Sequence, residues 1–159
     1  MNAIDLLESQ HQEVDALFER LEAAPKGDAE KKELFGQIAD ALAVHTEIEE
    51  KIFYPSVRRR ATEEIVERSV EEHLEVKRLI AAVIDLEPEE TDFDSKCAEL
   101  KEDVQHHVAE ERTQLFPKVR QLFEAADLDE LGEQMEELAE ELKTEGPATN
   151  LETEVHAVH

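Results

Sequence analysis

Apolar residues recur along this chain at alternating steps of three and four, the spacing that lines one face of an α-helix. The first stripe is Ile4, Leu7, His11, Val14, Phe18 and Leu21, broken by Pro25, Gly27 and Asp28. A second runs Leu34, Ile38, Leu42, His45, Glu49 and Ile52 and is predicted to end at Pro55. The third, with Thr62 as predicted N-cap, runs Val66, Val70, His73, Val76, Ile80 and Val83 and stops around Pro88. The fourth starts near Thr91, runs Phe93, Cys97, Leu100, Val104, His107, Glu111 and Leu115, and ends before Pro117. A fifth stripe, Leu128, Leu131, Met135, Leu138 and Leu142, lies on a very acidic body closed by Gly146 and Pro147. Four long stripes with short connections predict an all-α, up-down-up-down four-helix bundle over residues 1–125. A short C-terminal helix at 126–145 is expected as an appendage, followed by a flexible tail at 146–159.

Composition narrows the role. The 159 residues suit one domain able to bury a sizeable core, and four Gly and five Pro leave helix favoured over sheet. A formal charge of −25 repels phosphate backbones and anionic headgroups, so no nucleic acid and no membrane surface is expected as a partner. The lone Cys97 excludes a disulfide framework, a thiolate zinc knuckle and an iron–sulfur cluster; on an inward stripe it reads as an inert small hydrophobe. The longest wholly apolar run, Leu79 to Ile84, is too short for a bilayer, and the N-terminus carries no basic n-region. A soluble, cytoplasmic protein is expected.

The anomaly lies inside the stripes. His11, His45, His73 and His107 stand where the pattern asks for Leu or Ile, and Glu49 and Glu111 follow two of them by one turn on the same face. An offset of 62 carries His11 onto His73, His45 onto His107, Glu49 onto Glu111 and Pro55 onto Pro117. Each half is therefore one helical hairpin bearing a His and then a His-x3-Glu. In each hairpin the midpoint of its two histidines falls in the turn, so all four imidazoles project into the bundle at one level.

Burying two carboxylates and four imidazoles without partners costs several kcal/mol for each ionised group, on the order of what bound cations would repay. Nitrogen and carboxylate donors without thiolate suit iron, manganese or zinc, and two His with one Glu per half is a non-haem iron set with open positions. The Glu-x-x-His pair of ferritin-like centres fails here, because Glu8–His11 has Val70–His73 as its repeat mate. Tyr54 could hydrogen-bond a metal ligand or donate an electron, but its first reading is a packed tyrosine near a helix end; His106 reads as a surface residue, and His156 and His159 as solvated tail residues.

On His11, the HTEIE run from His45 to Glu49, His73 and the HVAEE run from His107 to Glu111, the chain resembles the hemerythrin-like (HHE cation-binding) domains over roughly residues 1 to 125. The resemblance implies two iron ions, oxo- or hydroxo-bridged, held by His11, His45, Glu49, His73, His107 and Glu111. Glu49 and Glu111 would bridge, with His73 and His107 capping one iron and His11 and His45 the other. It also implies a small oxidant ligand: dioxygen, nitric oxide or hydrogen peroxide. Oxygen carriers of that family place a second histidine four residues after the third-helix histidine; this chain has Lys77 there. An open position at both irons would follow, which favours catalase-like peroxide disproportionation over carriage, with His106, Glu72 or water as alternative fillings. Iron handling or sensing without turnover is a third reading. It ranks behind because no partner domain is appended, and a repair role because no cysteine-containing N-terminal segment is seen.

Overall fold

In the computed structural model, residues 1–145 are described, and all regular elements among them are helical. Helix α1 spans Ala3–Ala23, with Asn2 Oδ1 accepting the Asp5 N–H at 2.9 Å as its N-cap. Helix α2 (Glu30–Ile48) passes through a π turn, π1 (Glu49–Phe53), into α3 (Tyr54–Val57). Helix α4 is Glu63–Ile84. Helix α5 (Thr91–Glu110) repeats the pattern through π2 (Glu111–Leu115) into α6 (Phe116–Leu122), and α7 is Ala125–Glu145. Thr62 does stand at the N-cap of α4, but its hydroxyl caps nothing there: it donates to the Val57 carbonyl at 2.8 Å and accepts the Arg59 N–H at 2.8 Å.

The predicted stops at Pro55 and Pro117 do not occur. Proline offers no N–H, and its ring collides with the carbonyl four residues back in an α-helix. Widening to the π spacing lets the helix continue, with the Glu49 and Glu111 carbonyls accepting from the N–H groups of Tyr54 and Phe116, five residues on. The inserted residue turns the face that follows. Phe53, Tyr54 and Val57 are buried, and Ile52, expected inward, is only half-buried. On α4 the inward position is Ser69, fully buried, and Val70 is 38% exposed about 100° further round the helix.

Helix α1 packs on α2, α4 on α5, and α2 on α4. Two apolar clusters result. One gathers Phe18, Phe35, Ile38, Val76, Phe93 and Leu100; the other gathers Ile4, Ile48, Phe53, Val66, Phe116 and Met135. Between them lies a layer of histidine and glutamate. The fifth helix lies within one residue of its expected bounds, but it packs on α1 and α2 rather than standing as an appendage. Its Leu128, Leu131, Met135 and Leu142 complete the second cluster, so α7 is part of the core rather than an addition to it. No helix among the described residues is long and apolar enough to cross a membrane.

Gly132 lets α7 approach the start of α1. A methyl group there would overlap the Met1 carbonyl oxygen and lie 2.9 Å from the Asn2 carbonyl carbon and 3.0 Å from the Ala3 nitrogen. Gly132→Ala is expected to cost about 1–3 kcal/mol despite alanine's better helix propensity. Gly36→Ala, where nothing lies within 4 Å of the new methyl, is expected to gain about 0.5–1 kcal/mol. Urea midpoints of the two variants should move in opposite directions.

Candidate metal centre

One histidine arrives from each of α1, α2, α4 and α5, because each apolar stripe carries it at the level where the faces meet. The Nε2 atoms of His11 and His45 are 3.2 Å apart, as are those of His73 and His107. The two pairs are near copies: ring centroids 4.7 Å apart in both, at interplanar angles of 63° and 64°. Both carboxylates are wholly buried and lie between the pairs. Glu49 Oε1 is 3.1 Å from His45 Nε2, 3.0 Å from His73 Nε2 and 3.6 Å from His107 Nε2. Glu111 Oε1 is 3.2 Å from His11 Nε2 and 3.4 Å from His107 Nε2. All six residues expected from sequence converge, in the two groups His11–His45–Glu111 and Glu49–His73–His107.

Four further residues complete the surroundings. His45 Nδ1 donates to Gln10 Oε1 at 2.7 Å, His73 Nδ1 to Glu50 Oε2 at 2.8 Å, and His107 Nδ1 to Glu72 Oε1 at 2.9 Å. The sequence did carry a signal for two of them, because Gln10 and Glu72 are mates under the 62-residue repeat. Tyr54 is no mere packing residue. Its hydroxyl donates to Glu111 Oε2 at 2.8 Å and lies 3.3 Å from His73 Nε2 and 3.5 Å from His107 Nε2. Its repeat mate, Phe116, instead stacks on His11 at 6.2 Å.

These contacts decide what the Nε2 atoms offer. Ionised Glu50 and Glu72 can only accept, so they hold the proton of each imidazole on Nδ1 and leave the Nε2 lone pair facing inward. Burial works against the charge of both carboxylates, but His73 and Lys77 hold Glu50, and His107 holds Glu72, below the usual range. Two inward lone pairs 3.2 Å apart repel one another unless a proton or a cation stands between them. Burial pushes His73 down, but Glu49 and Glu50 outweigh it and raise it. Burial opposes His107 too, and Glu111, Glu49 and Glu72 lift it well above the ordinary value. His45 goes the other way, lowered by burial that Glu49 only partly offsets. Glu49 itself is held well below the carboxylate range, because His45 and hydrogen bonding with Glu111, His107 and His45 overcome its burial. Glu49 Oε2 and Glu111 Oε1 are buried without a hydrogen-bond partner. Orphaned anionic oxygens beside convergent lone pairs are donors that fit metal ions.

Lys77 does not face the centre. Its Nζ lies 3.5 Å from Glu50 Oε2, so it supports the carboxylate that supports His73. The position expected to stand open on that side is lined by the Tyr54 hydroxyl. Neither His106 nor Glu72 takes it: His106 is 68% exposed and lies near Glu72 and Glu110, and Glu72 faces the outer nitrogen of His107. Cys97 is buried, its thiol pushed up to about 12 chiefly by burial, which makes it chemically inert. His156, His159 and the expected tail lie outside the described residues.

Comparison with known proteins agrees with this arrangement. The hemerythrin HHE cation-binding domain family matches residues 2–119. A DNA nickase from Nostoc sp. is 33% identical over 121 residues, 76% of this chain and 34% of that protein, so the chain spans about a third of its length. A crystal structure of a hemerythrin HHE cation-binding domain-containing protein from Mycobacterium kansasii superposes with a TM-score of 0.81. It covers 91% of this chain and 89% of that one at 24% identity, a likeness of fold.

Proposed function

Because the chain belongs to the hemerythrin HHE cation-binding domain family, we propose that its six converging side chains hold two iron ions and that the centre binds or reacts with a small oxidant: dioxygen, nitric oxide or hydrogen peroxide. The observation that carries this reading is the reach of the carboxylates. Glu49 and Glu111 each lie within ion-pair distance of imidazoles from both histidine pairs, as bridging anions do. Iron held there would supply open coordination positions and electrons to the oxidant. The chain's own residues do the rest. The imidazoles present Nε2, Glu50 and Glu72 fix their orientation, and Tyr54 takes the side left without a third histidine. A small cavity lined by Val14, Leu42, Val76 and Val104 reaches the four imidazoles and has room for one or two water-sized molecules. Its apolar walls suit a small uncharged ligand.

Peroxide disproportionation is the second reading. Its sequence argument, an open position on both sides, is weakened by Tyr54, yet the same hydroxyl places an exchangeable proton beside Glu111. Burial and the charges of Glu111 and Glu49 raise that phenol well above its usual value, so it is a proton holder at neutral pH. The chain's charge of −25 counts against a role on DNA. A cytoplasmic place with no nucleic-acid or membrane partner completes the proposal.

The test is to load the protein with Fe²⁺ without air and then admit oxygen. A colour that deoxygenation reverses supports carriage. Oxygen evolved from added peroxide, and lost in His45→Ala, supports the enzyme. Fewer than two ions per chain sinks the two-iron reading. Tyr54→Phe should leave the fold intact while costing about 1–3 kcal/mol in the metal-free protein, since Glu111 Oε2 loses its donor. The loaded variant should also differ in absorption spectrum from the parent.

A further inference from the structure

The 62-residue repeat makes the two halves of the centre alike in ligands and unlike in what stands behind them. Behind His73 and His107 are two carboxylates, Glu50 and Glu72, the first carrying Lys77 at 3.5 Å. Behind His45 is the neutral amide of Gln10, the mate of Glu72. The mate of Glu50 is Arg112, which is exposed and has no acceptor to offer His11. An imidazole whose Nδ1–H is held by a carboxylate is a stronger donor at Nε2 than one held by an amide, and each carboxylate adds negative charge a few ångströms from the ion.

We propose that the two half-sites are unequal: the His73–His107 half takes a divalent cation first and holds it at least about tenfold more tightly than the His11–His45 half. Glu50 and Glu72 act as positioning residues that set the difference. The inequality rests on the two-metal reading, and it concerns affinity, which that reading leaves open. Lys77 has a role here as well: its Nζ, 3.5 Å from Glu50 Oε2, holds that carboxylate beside His73.

Calorimetric titration of the metal-free protein with Co²⁺, which needs no oxidant, tests it. The parent protein is expected to bind two ions. The His11→Ala/His45→Ala variant, keeping the favoured half, should bind one ion at least about tenfold more tightly than His73→Ala/His107→Ala. Should either double variant fail to fold, single changes decide. Glu50→Gln and Glu72→Gln should each weaken the tighter step by about 10–100-fold and leave the weaker within about threefold, with the helical circular dichroism of the metal-free protein retained. Gln10→Glu should strengthen the weaker step and narrow the gap. Two ions bound with equal affinity, or both steps weakened together by Glu50→Gln, overturn the inequality and leave the two-metal reading standing. Fewer than two ions in the parent overturns both.

Discussion

Glu49→Ala should reduce bound iron from two ions per chain to one or none and weaken metal retention at least about a hundredfold. Glu49 supplies an anionic oxygen within 3.6 Å of three of the four inward imidazoles, His45, His73 and His107, so the change removes a ligand from both halves at once. A water entering the space left behind would be a neutral ligand and could not replace the anion that spans both histidine pairs. The metal-free fold should survive: its cost should be about 3 kcal/mol or less, since the neighbouring imidazoles can shed their protons when the anion is gone. Glu71→Ala, on the exposed face of α4, should leave metal content unchanged. Metal analysis of the desalted proteins, with circular dichroism to confirm the helices, checks both. Two ions retained in Glu49→Ala would remove this residue from the centre.

Removal of the metal should lower the melting temperature by about 8–16 °C. The centre takes one histidine from each of α1, α2, α4 and α5, so bound ions fasten all four helices at one level. A ligand present at a thousandfold its dissociation constant stabilises by about 4 kcal/mol. In a chain of this size each kcal/mol is worth about 2–4 °C. Thermal melts of loaded and chelator-stripped protein read the difference directly. Equal melting would mean that the histidine layer holds without metal, satisfied by its own protons and carboxylates. The same pair of melts on His73→Ala should show a much smaller gap.

Much of this centre was legible in the sequence, for a definite reason. His11, His45, His73 and His107 occupy positions that an apolar stripe reserves for the core, so a polar residue there marks itself. Gln10, Glu50 and Glu72 each sit beside a ligand on a helix face where polar residues are ordinary, and nothing in the pattern separates them from solvated neighbours. Only the repeat would have singled out Gln10 and Glu72. The π turns were illegible for another reason: a hydrogen bond to the fifth residue leaves no mark in side-chain type. Pro55 and Pro117 are its trace, and alone they read as stops. That misreading ranked the packed reading of Tyr54 above the hydrogen bond to a ligand that its hydroxyl makes with Glu111. For α7, an acidic body with a thin apolar stripe looked like an appendage. Its bounds were legible, but its partners on α1 and α2 emerge only once the second apolar cluster is seen to need a cover.

The two π turns also settle a conflict of pitch. Upstream of Glu49 and Glu111, the rotation of each helix points a histidine and a glutamate into one buried layer. Downstream, Phe53 and Val57 in one helix and Leu115 and Val119 in the other must close the floor of the bundle. A rod of uniform pitch has one phase angle and cannot meet both demands from these sequences. Each π turn acts as a phase shifter, letting the chemistry and the packing of one continuous helix be tuned independently.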